Sequence, residues 1–259
     1  MSLSPRQTEI VDLARSVGRV SVEDLARRFN VTPQTIRKDL TELCSRRILA
    51  RLHGGACVSS GVENLDYEAR RHLAAEEKRA IGAMVAELIP NNCSLFINIG
   101  TTTEAVAQAL IGHSGLLVIT NNLNVANILH AQERIEVIIA GGPVRRSDGG
   151  VTGAAAVDFI RQFKVDYAVI GASAIDEDGA LLDFDYREVR VSQAIIENSR
   201  HVILASDRLK FERAAPIRIG HLSQIQTFVT DALPSASIAA LCQAQGVRVI
   251  ECLPNQQLS

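Results

Sequence analysis

The chain has 259 residues, 47% apolar and 22% charged, with a formal net charge of −2, which suits one large or two ordinary soluble globular domains. Its apolar runs fall short of the roughly 18 residues a spanning helix needs, and "MSLSPRQTEI" lacks a signal peptide's apolar centre, so the expected location is the cytoplasm. Five cysteines with no Cys-x-x-Cys pair argue against a disulfide framework or a zinc site, and no metal or cofactor is expected.

The charge is uneven. Residues 1–60 hold ten Lys/Arg, all but Lys38 being Arg, against six Asp/Glu, a net of +4, and the remainder carries −6. A basic head on an acidic body points to an anionic partner for the head.

Ser4-Pro5 is a helix start, and Ile10, Leu13, Ala14 and Val17 follow at helical spacing up to Gly18. Ser21 and Asp24 nearly form a capping box for a second helix that buries Leu25, Ala26 and Phe29. After the turn at Asn30-Val31, Thr32-Pro33 opens a third helix in the same way. Ile36, Leu40 and Leu43 make its buried stripe, leaving Gln34, Thr35, Arg37, Lys38 and Thr41 on other faces. Two helices joined by a tight turn, the second cationic near its start, are the helix-turn-helix arrangement, whose second helix enters the major groove. Gln and Arg can pair bidentately with adenine and guanine, while Lys neutralises phosphate. "ILARLHGGA", residues 48–56, predicts a β-wing with Arg51 and His53 placed for the DNA backbone or minor groove. Residues 1–56 are thus expected to be a winged helix-turn-helix domain, and Thr32, Gln34, Thr35, Arg37, Lys38, Arg51 and His53 its DNA contacts.

Residues 57–66, "CVSSGVENLD", are small, polar and aperiodic, and are expected to be a linker. Tyr67 to Ile89 predicts one long helix. Strands are then expected at Ser94–Ile99, Leu116–Thr120, Glu136–Ala140, Asp166–Gly171, Val202–Ala205, Thr227–Thr230 and Arg248–Glu251, most separated by helical patterns. Continuous Val/Ile/Leu runs belong to a parallel sheet covered on both faces, so residues 67–259 predict an α/β domain. Ligands bind beyond the carboxyl ends of such strands. Gly100-Thr101-Thr102-Thr103, Asn121, Gly141-Gly142, Asp207 and Lys210 follow strands in that way. A glycine–threonine turn at a helix start suits an anion. Dinucleotide and P-loop signatures are absent from the sequence.

"VSVEDLARRFNVTPQTIRKDLTEL", "RLHGGA", "INIGTTTEAVA", "ITNNLNVANIL", "AGGPVRR" and "SDRLKF" run in order along the chain, and together they resemble the DeoR family of transcriptional regulators. The resemblance implies a DNA-binding head, a sensor body with a ribose-5-phosphate isomerase-like fold, a homo-oligomer (dimer or tetramer), and repression relieved by a sugar or polyol phosphate. "TNNLNVAN", "DGGVTG", "VDFIRQFKVD" and "LLDFDYREVR" are similar to family members that answer to glycerol 3-phosphate. The matching effector positions are Gly100, Thr101, Thr102, Thr103, Asn121, Gly141, Gly142, Asp185, Asp207 and Lys210. Three positions depart from a common family pattern: Asn98 replaces Asp, Leu209 replaces Ser, and Ser192-Gln193 lacks a basic residue.

The rival reading is an isomerase, which needs a carboxylate base and groups to hold an enediolate. Where such enzymes carry an acidic pair, this chain has Ser173-Ala174. Where they carry a Lys-Gly-Gly turn, it has Asp183-Phe184-Asp185, followed by Glu188. Sensing without catalysis is the expectation.

Overall fold

α1 (Pro5–Val17) begins where Ser4 and Gln7 exchange hydrogen bonds, the Gln7 N–H donating to Ser4 Oγ at 3.2 Å and the Ser4 N–H to Gln7 Oε1 at 3.0 Å. A computed structural model of the chain describes residues 3–17, 19–45, 48–52, 54–58 and 67–252. β1 (Arg19–Ser21) was not legible in the sequence, because three residues carry no periodicity. Ser21 caps α2 (Val22–Phe29) by accepting the Asp24 N–H at 3.0 Å, and Asn30, at φ 50°, ends it. α3 (Pro33–Ser45) buries Ile36, Leu40 and Leu43 completely, within a cluster that includes Ile10, Ala14 and Leu25.

β2 (Leu49–Leu52) and β3 (Gly55–Val58) form the expected wing. β3 lies between β1 and β2 and pairs antiparallel with both. It therefore takes in Cys57 and Val58, which pair with Arg19 and Leu49, so the first two residues of the expected linker belong to the sheet.

The expected long helix is two: α4 (Tyr67–His72) and α5 (Ala75–Leu88). Ala74 adopts a left-handed conformation at φ 53°, and Lys78 reaches back, its ammonium donating to the carbonyls of Arg70 and Leu73. Those carbonyls at the end of α4 are satisfied by a side chain instead of a continuing helix. Alanine gives no break signal, so composition could not reveal this.

Seven parallel strands follow, as expected. β4 (Ser94–Ile97) leads into α6 (Thr101–Ala109), β5 (Leu116–Thr120) into α7 (Leu123–Leu129), and β6 (Ile135–Ile139) into α8 (Ala154–Ile160). β7 (Val165–Ile170) leads into a small antiparallel sheet containing β8 (Ala174–Ile175) and β9 (Ala180–Asp183), and then into α9 (Tyr186–Glu197). After β10 (Ser199–Ala205), β11 (Ile217–His221) completes that small sheet. β12 (Thr227–Thr230), α10 (Ala236–Ala244) and β13 (Arg248–Glu251) close the chain's main sheet, whose order is β13-β12-β10-β7-β4-β5-β6.

Alternate residues of the strands serve opposite faces. Leu95, Ile97, Val118, Val169 and Ile203 pack with Ile81, Val85 and Val106 of α5 and α6, whereas Phe96, Ile119, Ala168, Ile170 and Leu204 pack with residues of α8, α9 and α10. This double cover is why the strands read as unbroken apolar runs. Gly82 lets α5 approach α6, since a Cβ there would lie 2.7 Å from the Ala105 carbonyl.

Candidate functional site

On α3 the residues Gln34, Arg37, Lys38 and Thr41 are exposed. Thr32 starts the helix, its hydroxyl accepting the Thr35 N–H at 3.3 Å. Among the described residues, no carboxylate pairs with Arg37 or Lys38, so both charges stand toward solvent. The opposite side of α3 is fastened to α1: Arg6 Nε donates to the buried Asp39 at 2.6 Å, and Gln7 Nε2 donates to Glu42 at 2.9 Å. No sequence signal marks these long-range pairs, yet they fix which face α3 turns outward. Arg51 lies in β2, and His53 falls outside the described residues.

In the body, β4 has β5 on one side and β7 on the other, so the winding of the sheet reverses between β4 and β7. Such a switch point leaves a crevice at the carboxyl ends of the strands. A small cavity lies there, walled by Arg70, residues 99–103, residues 171–173, Asp183, Glu188, Ala205 and Lys210. Gly100, at φ 151°, precedes α6 without a side-chain cap. The first-turn N–H groups of α6 have no carbonyl in their own helix to bond, and they carry the positive end of the helix dipole.

The threonines differ in role. Thr103 is fully buried, and its hydroxyl is taken up by the carbonyls of Asn98 and Gly100, at 2.7 and 2.8 Å. Thr101 is half-buried, and its hydroxyl makes only a long contact, 3.4 Å, with the Arg70 carbonyl. Lys210 lines the cavity, and burial, followed by the Arg213 charge, holds its amine well below the ordinary lysine range and so disfavours its charged form in the empty site. An anion in the cavity would reverse that penalty.

Two carboxylates share the wall. Burial, followed by the charge of Asp183, pushes Glu188 up to about 8, and burial also raises Asp183. Asp183 accepts from Ser173 Oγ at 3.0 Å and from the Phe184 N–H at 2.6 Å. Sequence reasoning discounted Glu188 because its enzymatic surroundings are missing. Burial favours its protonated form, which can donate to a ligand hydroxyl.

The cavity brings together Gly100, Thr101, Thr102, Thr103 and Lys210 of the expected effector residues. Asp207 is buried and caps the 3-10 turn Arg208–Glu212, accepting the Leu209 N–H at 3.2 Å. Asn121, Gly141, Gly142 and Asp185 do not line this cavity. Asn121 donates to the Val151 carbonyl at 3.1 Å, Gly141 and Gly142 lie in an exposed bend, and Asp185 caps α9.

Arg145, which the sequence did not single out, organises the rim. It holds Asp148 bidentately at 2.8 and 2.7 Å, Asp185 at 3.0 Å and Glu188 at 2.5 Å. Arg70 Nη2 donates to the same Asp148 at 3.1 Å. Beside it the Tyr67 hydroxyl donates to Glu104 at 2.8 Å, and Asn124 Nδ2 donates to Glu104 at 3.0 Å. Among the described residues, no group of three His, Cys, Asp or Glu is placed to hold a metal ion, and no helix is long and apolar enough to cross a membrane.

Comparison with known proteins assigns both halves. The DeoR-like helix-turn-helix domain matches residues 6–61, and the DeoR C terminal sensor domain matches residues 73–232. The chain belongs to the DeoR family. It is 46% identical to the glycerol-3-phosphate regulon repressor of Escherichia coli (strain K12), covering 97% of this chain and 100% of that one. The Haemophilus influenzae protein of the same name is 45% identical, over 97% and 98%. The HTH-type transcriptional repressor CsqR of Escherichia coli is 37% identical, over 95% of each. As a DeoR-family protein, the chain is a regulator and not an enzyme. Among solved structures, ribose 5-phosphate isomerase A from Neisseria gonorrhoeae aligns over 55% of this chain and 54% of its own, at 14% identity and TM-score 0.39. A translation initiation factor eIF-2B structure from Pyrococcus horikoshii OT3 aligns over 88% of each, at 15% identity and TM-score 0.46. Nothing about chemistry follows from likenesses that loose.

Proposed function

We propose that this DeoR-family regulator is a homo-oligomeric repressor whose α3 reads operator DNA and whose body binds a polyol phosphate, glycerol 3-phosphate first among candidates, that lowers operator affinity. The observation that carries the effector class is the composition of one cavity. Gly100, the N-terminus of α6, Arg70 and Lys210 suit a phosphate, while Ser173, Asp183 and Glu188 suit hydroxyl groups. The names of the 46% and 45% identical relatives support glycerol 3-phosphate. Gln34, Thr35, Arg37 and Lys38 are the proposed base and phosphate contacts, with Arg51 and His53 on the wing. Residues 1–56 are the proposed DNA-binding unit and 67–259 the sensing and assembly unit.

An effector that weakens operator binding 100-fold must bind the released conformation more favourably by about 2.7 kcal/mol. Charge-assisted hydrogen bonds to one phosphate are of that order. The test begins by selecting a duplex from random-sequence DNA with the full chain. Calorimetry then measures glycerol 3-phosphate, other sugar phosphates and inorganic phosphate, with and without that duplex. Glycerol 3-phosphate should bind the free protein more tightly than the DNA-bound protein. Equal affinity for both, or no binding by any phosphate, overturns the reading.

A further inference from the structure

Arg70 stands between the cavity and the head. It belongs to α4, the first element after the segment that follows β3 of the wing. α4 lies against α1 of the head and against α6, whose first turn forms the proposed phosphate seat. The Arg70 side chain is 12% exposed, lines the cavity and donates to Asp148 at 3.1 Å, while its carbonyl accepts from Lys78 and, at 3.4 Å, from Thr101. One residue thus touches the cavity, the buried ion-pair network and the backbone at the close of α4.

The network has an asymmetry. Asp148 is held bidentately by Arg145, at 2.8 and 2.7 Å, in addition to its single bond from Arg70. Losing Arg70 therefore leaves Asp148 paired, so the large cost of stranding a buried charge is avoided. Arg145 has less freedom, since it joins Asp148, Asp185 and Glu188 at once. A phosphate dianion carries more charge than a carboxylate and offers the planar guanidinium two oxygens at once.

We infer that Arg70 is the positioning residue that carries ligand occupancy to the head: it exchanges Asp148 for the effector phosphate and moves α4 against α1 of the head, on which α4 packs. This rests on the proposed binding of a polyol phosphate in the cavity. Asp148 then acts as the internal competitor that holds α4 in its DNA-binding position. A ligand shifts the two conformations only through such differential contacts.

The experiment uses the full-length chain, glycerol 3-phosphate and the selected duplex. His72 is exposed at the end of α4, and the protein has no tryptophan, so His72→Trp places a single fluorophore on the moving element. In this background, glycerol 3-phosphate should change the Trp emission and raise the duplex Kd about 100-fold. Adding Arg70→Gln should weaken glycerol 3-phosphate about tenfold by calorimetry. At ligand concentrations shown by calorimetry to saturate that variant, emission should stay fixed and the duplex Kd should rise less than threefold. Asp148→Asn, which weakens the competitor, should act oppositely, tightening glycerol 3-phosphate and weakening duplex binding before any ligand is added. If saturated Arg70→Gln releases the duplex as fully as its parent, Arg70 only binds ligand and the inference is overturned. Arg70→Gln breaks the same bond as Asp148→Asn and should weaken ligand-free duplex binding no more than that variant does; a complete loss of duplex binding marks a structural residue and again overturns the inference. Failure of the parent itself to bind glycerol 3-phosphate strikes instead at the proposed function.

Discussion

Asn98 and Ser192 meet inside the body, the Asn98 amide donating to Ser192 Oγ at 2.8 Å with both residues 1% exposed. Asn98 Oδ1 accepts the Ile99 N–H at 2.7 Å, and the Ser192 hydroxyl donates to the Glu188 carbonyl at 3.2 Å. In the sequence, departures from a common DeoR-family pattern fall at Asn98 and in the Ser192-Gln193 pair, and Asn98 and Ser192 are in contact. Both side chains are neutral, and both residues are buried. Ile99 and Glu188 both line the cavity, so the pair steadies two of its walls.

Asn98→Asp exchanges a satisfied donor for a second buried acceptor and a charge, and Ser192→Ala strands the Asn98 amide. Each should cost about 1–3 kcal/mol, the usual penalty for an unmet buried polar group. Urea unfolding measures it. Unchanged midpoints in both variants would mean that the hydrogen bond contributes nothing.

On the head, Arg37→Ala should cost about 1–3 kcal/mol on the selected duplex and relax preference at one base pair, because a bidentate base contact is lost. Lys38→Ala should weaken all sequences more evenly and flatten the dependence of affinity on salt, as for a phosphate contact. Fluorescence anisotropy across a salt series separates the two. Identical behaviour of both variants, with no change in sequence preference, would remove α3 from the bases.

The seven strands of the main sheet, the wing and the helix-turn-helix were legible because their signals are local, whereas β1 and the short strands β8, β9 and β11 were not. Runs such as Leu116–Thr120 need only their own side chains to be read, and Ser21 and Thr32 announce α2 and α3 from adjacent positions. The cavity was legible only in part. Gly100 to Thr103 and Lys210 stand in recognisable motifs, whereas Arg70, Asp148 and Arg145 acquire meaning only when distant segments converge. Arg70 and Asp148 are 78 residues apart, and Arg145 and Glu188 are 43 apart. The break at Ala74 was hidden for a related reason: the Lys78 ammonium that satisfies the end of α4 is a tertiary contact, and alanine is the best helix former.

Effector affinity should fall as pH rises through about 8. Burial and the Asp183 charge push Glu188 up to about 8, and burial pushes Lys78, beneath α4, down to about 8. Below that pH the first is neutral and the second charged, both favourable to a phosphate dianion; above it the first becomes an anion and the second loses its charge. Binding then requires proton uptake, detectable by calorimetry in buffers of different ionisation enthalpy. Stability carries separate signs. Glu188 has a raised folded-state pKa, so its contribution is complete below the unfolded value near 4.5 and is lost as pH rises through 8. Lys78 is depressed, so its contribution is complete above the unfolded value near 10.5 and is lost as pH falls through about 8. Glu188→Gln should flatten the lower window alone, and a pH profile of stability identical to wild type would show that Glu188 does not titrate there.

Thr101→Asp separates sensing from DNA binding within one variant. Thr101 is the first residue of α6, beside Gly100 at φ 151°, in the wall shared with Arg70 and Lys210. A carboxylate there is compatible with folding, since acids in the first turn of a helix are stabilising by about 0.3–1 kcal/mol. It also occupies the proposed phosphate seat, where repulsion and lost room should weaken glycerol 3-phosphate at least 100-fold. The head's contact face on α3 is untouched, so the duplex should still be bound. Its affinity should no longer respond to ligand, and the level at which it is fixed carries information. Tight binding means the carboxylate only blocks the seat. Weak binding means that it also draws Arg70 from Asp148, as the phosphate is proposed to do, leaving the repressor permanently released. Anisotropy of the labelled duplex with and without glycerol 3-phosphate, wild type beside Thr101→Asp, reads both quantities. A variant that binds and releases the duplex as wild type does would return residues 100–103 to an ordinary strand-to-helix turn.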